Sequence, residues 1–218
     1  MDPERFQSVF TATAHVSIEP DPETYRQATT GPHNEEWKKV VLEEYASLCA
    51  REVFDLQRLP NGKKAIPVKW LFKTKFDKEG QVSRYKARLV VKGFHQKKGI
   101  DFNEVFAPTV KFSTIRPIFS IAISNGLLYI EQVDIDTTFL NAILREEIYV
   151  EQPEGFVVYA TDGEKLVWRL QRDLYGIKQA PLEWCECYHK TMKKLGLKPL
   201  ISDPSAYFYK DEKTLCVL

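Results

Sequence analysis

The sequence predicts an α+β fold. Apolar residues recur at helical spacing in three separate stretches, strict alternation marks a β-hairpin between the first and second of them, and another hairpin closes the chain. The resulting order, αββαβ…αββ, mixes helices with antiparallel hairpins rather than repeating a strand–helix–strand unit.

Residues 1 to about 30 are rich in Ser, Thr, Pro and charge without periodicity, and the expectation is a flexible leader on which no core depends. From Asn34, Trp37, Val40, Val41, Tyr45 and Leu48 fall at helical spacing, with Glu35 and Glu36 in the first turn where the helix dipole favours them. PVKWLFKTKFDKEGQVSRYKARLVVKGF alternates with period two on either side of Asp77-Lys78-Glu79-Gly80. One face collects Trp70, Phe72, Thr74, Phe76, Tyr85, Ala87, Leu89 and Val91, and the other Lys73, Lys75, Arg84, Lys86 and Arg88. Ser113 is placed to cap a helix with Ile115, Ile118, Phe119, Ala122 and Ile123 on one stripe, Pro117 in its first turn and Gly126 at its end. LLYIEQVDID follows as an apolar strand. A further helix is expected from Pro181, with Trp184, Tyr188, Met192 and Leu195 on its stripe and Gly196 as its stop, before a hairpin turning around Lys210 to Lys213.

A chain of 218 residues with 44% hydrophobic content can build a real core, as one large domain or two small ones. No apolar run approaches the roughly 18 residues that span a bilayer, and the N-terminus lacks the layout of a signal peptide, so an intracellular protein with no membrane association is expected, cytoplasmic or nuclear. Cys49, Cys185, Cys187 and Cys216 form no CxxC pair and have no histidine at ligand spacing, which argues for reduced thiols without zinc. Charge is unevenly spread. Between Asn61 and Lys98, twelve Lys or Arg face only Asp77 and Glu79, a net +10 within a chain whose formal total is +1. One basic module on an acidic body is the layout of a polyanion holder, although a solvated edge hairpin guarded by lysines has the same composition.

Asp134 and Asp136 lie two apart at the end of the apolar run. Carboxylates there suit a hard dication such as Mg2+, which takes few protein oxygens and fills its shell with water and phosphate. They equally suit a helix cap at Asp136 and a lysine partner for Asp134. The surrounding QVDIDTTFLNAILREEIYVEQPEGF resembles the block around the first catalytic aspartate in the reverse transcriptases of copia-like LTR retrotransposons. Other blocks agree in order: EEWKKVVLEEYASL, LPNGKKAIPVKWLFKTKFDKEGQVSRYKARLVVKGFHQKKGIDFNEVFAPTVKFSTIR, WRLQRDLYGIKQAPLEW and SDPSAYF.

The resemblance implies a reverse-transcriptase-like fold of fingers and partial palm, with a leader over 1–18, fingers over 19–125 and palm over 126–218. It implies that Asp134 is the catalytic carboxylate and first metal ligand, while Asp136 falls at a variable position and becomes a cap or outer group. Arg88 is implied to reach the triphosphate with Lys73 or Lys75, and Phe139 to pack under the sugar and exclude a 2′-hydroxyl. Gly176 and Gln179 of LYGIKQAP are implied to support the nucleotide. The implied substrates are an RNA or DNA primer-template and deoxynucleotides. Thr138, Ala142 and Pro117 depart from the family pattern. The resemblance also places a Y-x-D-D turn just beyond Leu218, so the expectation is weak or absent magnesium binding, no DNA synthesis by this chain alone, and self-association through an unpaired last strand. Two alternatives remain open: a non-catalytic or co-opted nucleic-acid-binding module, and an unselected pseudogene product.

Overall fold

The computed structural model describes residues 19–124, 126, 129–135, 137–210 and 215–217. The expected leader over 1–18, Asp136 and the turn 211–214 lie outside them. Helices and antiparallel sheets are mixed, as the α+β expectation requires.

Residues 19–30 overturn part of the leader expectation. Thr24 and Gln27 form a reciprocal capping box that starts α1, Tyr25–Thr30. Ala28 is fully buried, and the Tyr25 ring stacks on Trp70. The T-x-x-Q pattern carried this signal; local capping chemistry outweighs a polar composition.

Helix α2, Asn34–Ala50, buries Trp37, Val41 and Leu48. Its partner is the hairpin of β2, Val68–Phe76, and β3, Val82–Val91, whose inward face contributes Trp70, Phe72, Ala87 and Leu89. Trp37 meets Phe72 and Tyr85 edge-on, at centroid separations of 5.3 and 4.7 Å. The expected face breaks at its tip. The register shifts between Lys75 and Phe76, and Phe76 is exposed.

A three-stranded antiparallel sheet, which alternation does not reveal, lies beside the hairpin. It consists of β1 (Phe54–Gln57), β4 (Tyr149–Val150) and β5 (Val167–Leu170), in the order β1-β5-β4. Phe54 stacks on the fully buried Trp168 at 3.6 Å, and Tyr45 stacks on Phe156 at 4.0 Å. The Ile66 amide donates to the Tyr149 carbonyl (2.8 Å) and the Glu151 amide to the Ile66 carbonyl (2.9 Å), fixing the root of the hairpin to this sheet.

Helix α3, Phe112–Ser124, starts before its predicted cap. Asp203, distant in sequence, accepts from the Lys111 amide at 2.9 Å, so Ser113 and Pro117 both lie inside the helix. Among its described residues none is buried. The predicted strand LLYIEQVDID is also corrected: residues 129–135 lie in no strand, and Tyr129, Ile130 and Val133 are exposed. A strand requires a hydrogen-bonded neighbour, and the described residues offer this run none.

Helix α4, Ala180–Lys194, carries Met192 and Tyr188 into a small cluster with Leu197 and Tyr207. Leu195, expected on that stripe, is exposed just past the helix, and Leu197 takes its place. Strands β6 (Lys198–Pro199), β7 (Tyr207–Lys210) and β8 (Leu215–Val217) form a second three-stranded antiparallel sheet, with β8 paired to β7 on one side. No helix among the described residues is long and apolar enough to cross a membrane.

Candidate functional site

The outer face of the hairpin sets like charges opposite each other: Lys73 faces Lys86, and Lys75 faces Arg84. Such cross-strand pairs cost roughly 0.2–1 kcal/mol each, a cost that an anion bound across them would offset. Lys73 already has a carboxylate. Asp21 lies 2.8 Å from its ammonium and accepts from the Thr74 amide at 2.7 Å. Burial pushes the Asp21 carboxyl up, but the hydrogen bonds from Lys73 and Thr74 prevail and leave it below its ordinary value. Lys75 is exposed.

Further along β3, the Arg88 guanidinium carbon stands 4.9 Å from the centroid of the Tyr175 ring, over its face. Tyr175 and Phe139 meet edge-to-face at a centroid separation of 5.7 Å. Phe139 is held on a 3-10 turn, Thr138–Asn141, by the fully buried Leu140 beside it. Ala142, one of the departures from the family pattern, follows with φ −83, a conformation open to any residue, so nothing there calls for glycine.

The turn carrying Tyr175 is docked against the end of β3. The Val91 amide donates to the Tyr175 carbonyl at 2.7 Å. Gly176 has φ +91, and a Cβ there would run into the Val91 carbonyl oxygen. A Cβ at Gly93 would in turn strike the Gly176 carbonyl oxygen. Only glycines allow the two backbones to lie this close.

Gln179 sits beneath this surface, 1% exposed. Its side-chain oxygen accepts from Gln96 Nε2 (3.0 Å), and its Nε2 donates to the Asp101 carbonyl (3.0 Å) and Glu146 Oε2 (3.3 Å). Gln96 accepts from the Lys178 amide at 2.8 Å. These amides form a strut beneath the turn rather than a ligand face. Gln96 was not singled out in the sequence; nothing in GFHQKKG announces a partner so far along the chain.

Asp173 was also unsuspected. It is fully buried, and neither carboxylate oxygen has a hydrogen-bond partner. Burial, reinforced by Glu183 and Glu146, pushes it up to about 7. Burial likewise raises Glu183, against the pull of Arg145, whose Nε lies 3.2 Å away.

Asp134 is exposed on the segment 129–135. No group of three or more His, Cys, Asp or Glu among the described residues is placed to hold a metal ion. Among the described residues, then, Asp134 is not surrounded by the set of oxygen donors that the near-octahedral shell of magnesium demands. The structure therefore joins Arg88, Phe139 and Gly176 through the Tyr175 turn, sets Gln179 below them, and engages Lys73 elsewhere.

Residues 51–217 match the family described as reverse transcriptase (RNA-dependent DNA polymerase). The chain is similar to the retrovirus-related Pol polyprotein of transposon TNT 1-94 from Nicotiana tabacum, 45% identical over 91% of this chain and 15% of that protein. It is also similar to the Pol polyproteins of transposons RE1 and RE2 from Arabidopsis thaliana. These are 30% and 33% identical over 94% and 84% of the chain, and 14% and 12% of their own lengths. The chain thus spans about a seventh of the length of such relatives. No solved structure matches it.

Proposed function

Because the chain belongs to the reverse transcriptase (RNA-dependent DNA polymerase) family and corresponds to that domain of copia-like retrotransposon Pol polyproteins, we propose that it carries the nucleotide-holding half of an RNA-directed DNA polymerase site. Its substrates are a primer-template and a deoxynucleoside triphosphate. The hairpin acts as fingers and the region after residue 126 as part of the palm. The observation that carries this reading is the contact series Arg88–Tyr175–Phe139, which sets a phosphate-binding fork beside an aromatic surface suited to a sugar. Lys75 supplies further positive charge, Gly176 lets the turn approach, and Gln179 holds the turn in place. Asp134 is the carboxylate that would offer an oxygen to a divalent ion. Divalent-metal chemistry is the family's own.

Equilibrium dialysis of the full chain against labelled dTTP tests the reading. Arg88→Ala weakens binding about tenfold, the loss expected for a charge-assisted phosphate contact. Equal affinity in both proteins removes the site.

The paired like charges on the outer hairpin face favour a second reading, a sequence-indifferent nucleic-acid-binding module. Binding would weaken steeply with salt as phosphate contacts release counterions. Charge reversal of Lys75, Arg84, Lys86 and Arg88 together would abolish it, and unchanged affinity would refute it.

A further inference from the structure

Resting on the nucleotide-holding reading above, we propose that Tyr175 is a positioning residue, which presents the Arg88 guanidinium to a triphosphate and braces Phe139 against the sugar. An ion pair consumes N–H donors, as the carboxylate of Asp21 does for the ammonium of Lys73. Arg88 is instead carried over a ring face, 4.9 Å from the centroid, with Glu44 acting on it electrostatically from α2. Contact with a ring face orients a guanidinium while leaving its in-plane fork available for phosphate oxygens.

The same ring has a second task. It packs edge-to-face with Phe139 at a centroid separation of 5.7 Å, so the side chain that sets the arginine also limits where the aromatic surface can move. Tyr175 is itself fixed through its backbone. Its carbonyl accepts from Val91, three residues beyond Arg88 on the same strand, and the following Gly176 admits no Cβ against that strand. Arginine, tyrosine and phenylalanine are therefore indexed to one another through a turn that cannot slide along β3. Two ligand features, a triphosphate charge and a ribose ring, thereby depend on one side chain.

Two measurements on the full chain test this. In side-chain NMR of the unaltered protein, the Arg88 Nε–H resonance sits upfield of the other arginines through the ring current of Tyr175. It keeps that position in Tyr175→Phe and moves to the common arginine position in Tyr175→Leu. In binding, with inorganic tripolyphosphate, dUTP and UTP as probes, Tyr175→Leu loses about threefold to tenfold in tripolyphosphate affinity. It also loses part of the preference for dUTP over UTP, whereas Tyr175→Phe retains both. An unshifted Arg88 resonance in the unaltered protein overturns the inference without recourse to any variant. Loss of tripolyphosphate binding in Arg88→Ala with none in Tyr175→Leu overturns the role of Tyr175 and leaves the site standing. Loss in neither overturns both.

Discussion

Burial pushes the Asp173 carboxyl up to about 7, and Glu183 and Glu146 push in the same direction. The folded state therefore holds a proton that the unfolded chain releases near the ordinary value of 3.8. For a carboxyl with a raised folded value, this stability is fully present below the unfolded value and is lost as pH climbs towards about 7. Asp173→Asn removes the dependence. At pH 8 the variant should be more stable than the parent by on the order of 2 kcal/mol, an advantage that disappears at pH 4. Urea melts at both pH values check this; a constant difference between the proteins would mean that Asp173 does not titrate in this window. The residue was not legible in RDLYGIK. A charged side chain beside an apolar one gives no sign of which is inward, and the partnerless carboxylate appears only in the folded chain, where Glu183 of α4 and Glu146 act on it.

Among the elements, the strap before α1 does more than its polar composition promised. Asp21 caps a backbone amide on β2 and holds the ammonium of Lys73, so a lysine suggested for phosphate binding is already engaged by an acid of the same chain. Asp21→Ala should release it and tighten binding of a polyanion about twofold to threefold at low salt, fading towards physiological salt. Titration with heparin or oligonucleotide at two ionic strengths measures the change; weaker binding in the variant would show that the strap supports the cationic face instead. The long hairpin and the helices at 34–50 and 180–194 were legible because each repeats its period several times. β1, β4 and β5, with two to four residues each, are too short for alternation to register. The start of α3 was misplaced because its amide cap comes from Asp203, a partner outside any local window.

At the scale of the whole molecule, apolar surface is unevenly covered. One cluster buries the hairpin, α2 and the short sheet together. In contrast, Phe112 (78% exposed), Ile123 (75%) and Val133 (77%) lie open on α3 and the segment after it. Exposed apolar side chains concentrated in this way mark a surface that associates. The chain should therefore self-associate at micromolar concentration in sedimentation velocity. Ile123→Glu with Val133→Glu should shift it towards monomer, and a concentration-independent monomer in the parent would reject this. The candidate site was legible only where residue type and neighbours agree. Arg88, Phe139 and Gly176 lie within conspicuous motifs, whereas Tyr175 gained meaning from two contacts with residues far from it in sequence.

The mutual clearance of Gly93 and Gly176 has a mechanical corollary. With no methyl-sized gap between the root of the hairpin and the turn bearing Tyr175, these two pieces share one rigid base. The irregular step between Lys75 and Phe76 lies beyond the basic pairs, so it loosens the tip alone, like a jointed fingertip on a locked knuckle.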